Sequence, residues 1–197
     1  MSKARYGSPL ALVHERFILA LGGYTNNSEL TLHCEAFDTQ SNYWFKTKAL
    51  PFPTSNTTAI VMDETKVYLM PGKQAYMTED PQFLMISMLD CSDNGILRQD
   101  PASPDYGQFL IEKSWSFMPV RNADFIRSYP VAALQLNSNE MMIFGGETNM
   151  TFILDIRTAE VVTSSGELDC MKSRFAYESD YVCRTFGRIF YVIDSNL

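Results

Sequence analysis

The 197-residue chain is 46% hydrophobic and 20% charged, a globular balance that excludes wholesale disorder and, at this length, allows one domain or at most two small ones. Sixteen Lys and Arg against 23 Asp and Glu leave a formal net charge of −7, which excludes nucleic-acid binding by bulk electrostatics, because a phosphate-tracking surface needs clustered positive charge. No apolar run approaches the ~20 residues of a membrane span, and the opening Met-Ser-Lys-Ala-Arg lacks the apolar core of a secretory signal, so the expectation is a soluble, cytoplasmic protein with no membrane contact.

Read in chain order, short apolar runs alternate with turn residues. Pro9–Val13 predicts a first strand. The run from Arg16 to Leu21 predicts a second, which ends in the doublet Gly22-Gly23 and is followed by the apolar-Asp pair Phe37-Asp38 and by Tyr43-Trp44. The pattern restarts at Thr58–Met62. Val67–Met70 then runs into Pro71-Gly72, and Leu89-Asp90 and Trp115 come later. Between those last two lies Cys91–Lys113, whose Gly95, Asp100, Pro101, Pro104, Asp105 and Gly107 give it the composition of a loop. Within it Phe109-Leu110-Ile111 is too apolar for a solvated loop and predicts a strand or a docking segment. Phe125-Ile126 raises the same question.

A third unit reads Pro130–Leu136, then Met141–Phe144 with Gly145-Gly146, then Leu154-Asp155 and Val161. A fourth begins with Ala176–Cys183 and Arg188–Val192, ending in Ile193-Asp194. The doublets at 22, 71, 145 and 193 are spaced by 49, 74 and 48 residues, and the insertion accounts for the long interval. About four short strands per repeat, with no long 3.6-residue apolar period, predict an all-β fold. A four-strand unit at this period predicts propeller blades rather than a sandwich.

Other chemistry has little to draw on. Cys34, Cys91, Cys170 and Cys183 show no Cys-x-x-Cys pair and no metal-ligand spacing, so they read as small buried apolar residues. The only histidines are His14 and His33. Three Asn-x-Ser/Thr sites, at Asn26, Asn56 and Asn149, read as chance occurrences without an export signal. Neither a phosphate-binding loop nor a Gly-x-Ser-x-Gly nor a His-Glu-x-x-His motif is present. Glu147, beside the third doublet, is the one acid with a place in a possible catalytic reading.

The doublet that ends an apolar strand, the downstream apolar-Asp pair and the spaced aromatic resemble the kelch repeat. The motif residues are Gly22, Gly23, Asp38 and Trp44 in the first unit, Gly72, Asp90 and Trp115 in the second, and Gly145, Gly146 and Asp155 in the third. The resemblance implies a kelch-type β-propeller, here an incomplete ring of about three and a half four-stranded blades. Blade 1 is expected over about 5–52, blade 2 over about 54–120 with the insertion 91–113, blade 3 over about 127–168 and a partial blade 4 over about 174–197. Kelch propellers close rings of five to seven blades, so the expectation is a fragment or a half completed by another chain, because open sheet edges are an aggregation liability.

In such folds recognition sits on loops held by the rigid blades. Arg5, Thr54, Arg127 and Arg174 fall 17, 17, 18 and 19 residues before their doublets, in the connections entering the blades. One reading is a guanidinium ring that takes an acidic partner segment; the other is that these arginines bond carbonyls and acids across blade junctions. Tyr24, Tyr76 and Tyr129 add flat amphipathic contact area. The expected function is a non-catalytic scaffold that binds a partner protein, in a cytoskeletal or other large assembly, with no cofactor. The alternative is a propeller enzyme or small-ligand binder of the galactose-oxidase-like class, for which His14 and His33 supply a poor copper set.

Overall fold

The structure, a computed structural model, describes residues 1–71, 84–92, 99–121, 132–144, 151–165, 181–186 and 189–194. Among the described residues it is all-β apart from one short helix. The first four-stranded sheet (sheet I) is an antiparallel meander of β2 (Leu10–Val13), β3 (Phe17–Leu21), β5 (Cys34–Asp38) and β6 (Tyr43–Lys46). Two strands at its end, β1 (Arg5–Tyr6) and β4 (Tyr24–Thr25), pair with each other. Sheet II is the meander β7 (Ala59–Met62), β8 (Lys66–Leu69), β9 (Leu84–Asp90) and β10 (Ser116–Val120). Sheet III is β11 (Ala132–Gln135), β12 (Glu140–Phe144), β13 (Thr151–Asp155) and β14 (Glu160–Ser165), and a hairpin of β15 (Tyr181–Phe186) and β16 (Ile189–Asp194) follows it in sequence. Among the described residues the sheets form no closed ring.

The three meanders are built alike, residue for residue. The second strand of each begins opposite the aspartate of the third: Phe17 pairs with Asp38, Lys66 with Asp90 and Glu140 with Asp155. Each aspartate then accepts the backbone N–H two residues on, from Gln40, Ser92 and Arg157, at 3.0, 2.8 and 2.8 Å. This is the Asx turn that the apolar-Asp pair leads one to expect. The residue after each aspartate donates in turn to the residue before or at the start of the second strand's hairpin, Thr39 to Arg16, Cys91 to Thr65 and Ile156 to Asn139.

Both faces of these sheets are apolar, and that is why the strands read as nearly continuous hydrophobic runs rather than alternating ones. Residues paired across strands share a face. One face of sheet I carries Ala11, Val13, Phe17, Leu19, Ala36 and Phe45, and it packs on Val67, Leu69 and Leu89 of sheet II. The other face of sheet II carries Ile60, Met62, Tyr68 and Ile86, and it packs on Met141, Ile143, Phe152 and Leu154 of sheet III. The sheets thus stack in series, with the leading strands in contact, β2 on β7 and β7 on β11. Each fully buried Phe, Leu or Met contributes about 1.5–3 kcal/mol, so these two layers hold most of the fold's stability.

The insertion departs from its expected form. Its apolar centre is neither a strand nor an exposed docking segment but a one-turn helix, α1 (Gln108–Glu112). Leu110 is 1% exposed and Ile111 packs beside it, both against the layer between sheets I and II, with Tyr106 edge-on to Phe45 at 5.8 Å. A helical turn places these neighbours on one side while closing its own backbone bonds, which a lone strand with no free edge to join could not do. In the fourth repeat β15 runs from Tyr181, and the expected start at Ala176 lies outside the described residues.

Candidate functional site

Three connections meet at the doublet end of sheet I. Gly23 N–H donates to Thr54 O (2.8 Å) and Asn56 N–H to Gly7 O (2.9 Å), so the segment entering sheet I, the doublet and the segment entering sheet II form one rim. The doublet has to be glycine here. Gly22 and Gly23 sit at φ +57° and +93°, and an added Cβ would lie 2.7 Å from Thr54 O at the first and 2.8 Å from Tyr6 O at the second. Close approach of neighbouring backbone, rather than turn geometry alone, fixes the motif.

The rim brings together Arg5 and Thr54, which the alignment of repeats places in equivalent connections, and Tyr24 of the loop after the doublet. Arg5 is not presented to a partner. Its side chain is 3% exposed, and it donates to the carbonyls of Gly22 and His33 and pairs with Glu35, itself buried in β5. Ser2 N–H donates to the same carboxylate at 2.6 Å. Burial pushes the Glu35 carboxyl up, but the Ser2 hydrogen bonds and the Arg5 charge outweigh it, and the net shift is downward. Arg5 is therefore the bolt that fastens the N-terminal segment over sheet I; it bonds carbonyls and an acid, but within the first unit and not across a junction between units. Thr54 is buried too, its carbonyl tied to Gly23.

What the rim does present is aromatic. Tyr6 and Tyr24 are paired across β1 and β4, and their rings stack at 5.2 Å with planes 24° apart. Tyr6 is 53% exposed, and its hydroxyl donates to Ser28 Oγ at 3.1 Å. A second stacked pair, Phe52 on Phe117 at 5.3 Å, lies partly exposed where the chain enters sheet II. The importance of Tyr6 and of Phe52 is not legible in the sequence, where Tyr24, Tyr76 and Tyr129 are the aromatics singled out. The period-2 relation of Tyr6 to its neighbours becomes informative only once β1 is known to pair with β4.

The remaining expected residues divide cleanly. Arg127, Arg174, Tyr76, Tyr129, Gly72, Gly145, Gly146 and Glu147 lie outside the described residues, as do Phe125 and Ile126. Trp44 lies half-buried on Phe37 at 5.1 Å, at the edge of sheet I rather than between sheets. Trp115 is half-buried against the layer between sheets I and II. His14 and His33 serve the scaffold: His14 Nε2 bonds Cys91 O at 2.6 Å across the junction of sheets I and II, and His33 O receives Arg5. Among the described residues no three His, Cys, Asp or Glu side chains gather in a metal-binding group, and no helix is long and apolar enough to cross a membrane.

Sequence reasoning missed the most extensive polar network. Arg16 binds Asp38 through two hydrogen bonds of 2.7 Å, and Tyr106 of the insertion and Ser41 join them at 2.7–3.2 Å. Its Arg16–Asp38 centre is buried, and its reach from sheet I to Tyr106 suits it to clamping the insertion onto the sheet. Compared with known proteins, the chain matches no family model and no curated protein.

Proposed function

We propose that this chain is a non-catalytic scaffold of the kelch-propeller kind and that it binds a partner protein through the rim at the doublet end of its sheets. Three serially stacked four-stranded meanders with matched aspartate turns support the blade reading. The observation that carries the binding reading is the stack of exposed Tyr6 on half-buried Tyr24. Stacked tyrosines give a large contact area with few rotatable bonds, which lowers the entropy lost on association. The buried Arg5–Glu35 bolt holds this shelf rigid beneath the rings.

With Arg5 occupied internally, the shelf favours an aromatic or proline-containing segment over an acidic one, because rings recognise apolar and planar groups whereas a carboxylate needs a free cation. A photocrosslinking amino acid in place of Tyr24, in extracts of the source cells, tests this. A discrete protein adduct at position 24 that is absent at Tyr43, on the outer strand of sheet I, is expected. Identical adducts at both positions, or none at 24, would overturn the proposal.

A further inference from the structure

Sheet I carries an apolar strip that nothing in the described chain covers, beside the Arg5–Glu35 pair, which lies on the same face and is covered by the N-terminal segment. The strip is formed by Leu10 and Leu12 of β2, Ile18 of β3, Phe37 of β5 and Trp44 of β6, which pair across the strands as Leu12–Ile18–Phe37–Trp44. Leu10 is 61% and Leu12 50% exposed, and Ile18, Phe37 and Trp44 are partly buried. The matched aspartate register identifies the same positions in the other sheets. Ile18 corresponds to Val67 and Met141, and Phe37 to Leu89 and Leu154. In sheets II and III all four of those residues are buried, because the preceding sheet lies on them.

We infer that this face is a self-association surface, covered in solution by a sheet of a second copy of the chain stacked head to tail as the sheets stack within one copy. The argument for that occupant is continuity. The interface already occurs twice in the chain, between sheets I and II and between sheets II and III, each time joining the same two kinds of face. The kind that would cover Leu12 and Ile18 is one that the chain itself makes, and sheet III turns such a face, with Leu134, Met142 and Ile153 half-exposed, away from sheet II. Because the two contributing faces differ, the contact is heterologous: it closes into a ring where the rotation between copies closes and otherwise adds copies in one direction. The surface is separate from the tyrosine shelf, so the two proposals fail independently.

The test is the molar mass of the intact chain by light scattering across a dilution series, for wild type, Leu12→Glu, Leu10→Glu and the control Tyr43→Glu, whose side chain lies exposed on the opposite face of the sheet. Wild type is expected at twice the 22.4 kDa of one chain or more, with the mass falling at least twofold in both leucine variants and unchanged in the control. All three positions are at least half exposed, so each variant should fold, and circular dichroism checks that. A monomeric wild type, or leucine variants that keep its mass, would overturn the inference. A Leu12→Cys variant that oxidises to a copy-to-copy disulfide through position 12 would also overturn it, since head-to-tail stacking keeps the two copies of residue 12 apart.

Discussion

Arg16 and Asp38 face each other with two guanidinium nitrogens engaged, Nε on Oδ1 and Nη2 on Oδ2, each at 2.7 Å. Their side chains are 7% and 0% exposed. Removing one member of such a pair strands a buried charge, whereas removing both does not. Asp38→Ala is therefore expected to cost about 3–5 kcal/mol by urea denaturation, and Arg16→Met added to it should recover part of that loss. Additive single-variant costs in the double-mutant cycle would show that the pair does not act as a unit. Asp155, whose Arg157 partner stands largely in solvent, should be much less sensitive to the same change.

The same pair makes stability fall in acid. The hydrogen bonds from Arg16 hold the Asp38 carboxyl down at about 2, with smaller help from Gln40 and Ser41. A carboxyl whose folded pKa lies below its unfolded value of about 4 contributes stability above that value and loses it as pH falls toward the folded one. The stability gap between wild type and Asp38→Ala is therefore expected to be constant near neutrality and to shrink between roughly pH 4 and pH 2. Urea midpoints measured at steps of pH check this, and a gap that stays constant down to the lowest pH would contradict it.

Local grammar was legible in the sequence, and long-range pairing was not. The strands around Phe17–Leu21 and Cys34–Asp38 announce themselves because both faces of each sheet are apolar, and the aspartate turns do so because an Asx turn closes within two residues. Arg5 could be placed in the right connection, but its fate depends on Glu35, 30 residues away and on another strand. The Arg16–Tyr106 bond spans 90 residues and joins a hairpin to an insertion whose composition says only loop. The open face of sheet I was hidden for a related reason. Leu12 and Phe37 look like any other core residue until register shows which of them a neighbouring sheet reaches.

Leu110 should behave as a core residue although it sits in an insertion. Its side chain is buried in the layer between sheets I and II, in the same cluster as Phe45, Leu50 and Cys91. Truncating a buried leucine removes its transfer energy and leaves a cavity, so Leu110→Ala is expected to cost about 2–5 kcal/mol. Hydrogen exchange should report the loss at Gly107–Glu112 and in β6 together, because the helix and Phe45 brace each other. A cost near zero would mean that the insertion lies on the fold without bracing it.

The buried thiols offer the most direct check of the inner layer. Burial pushes Cys34 up to about 11 and Cys91 up to about 12, against small opposing effects from backbone hydrogen bonds and Arg5 at the first and from Lys113 at the second. The thiolate is the reactive form, so both groups should be doubly protected at mildly alkaline pH, by lack of access and by lack of ionisation. In a Cys170→Ser/Cys183→Ser background, a thiol reagent is expected to leave native protein unlabelled for as long as the fold persists and to label both cysteines once urea unfolds it. The labelling rate should then track the opening of the layer itself. Leu110→Ala, which loosens that layer beside Cys91, should accelerate labelling there, and Tyr6→Ala on the distant shelf should not. Fast labelling of the native chain would place Cys34 and Cys91 at the surface and undo the packing of sheet I on sheet II.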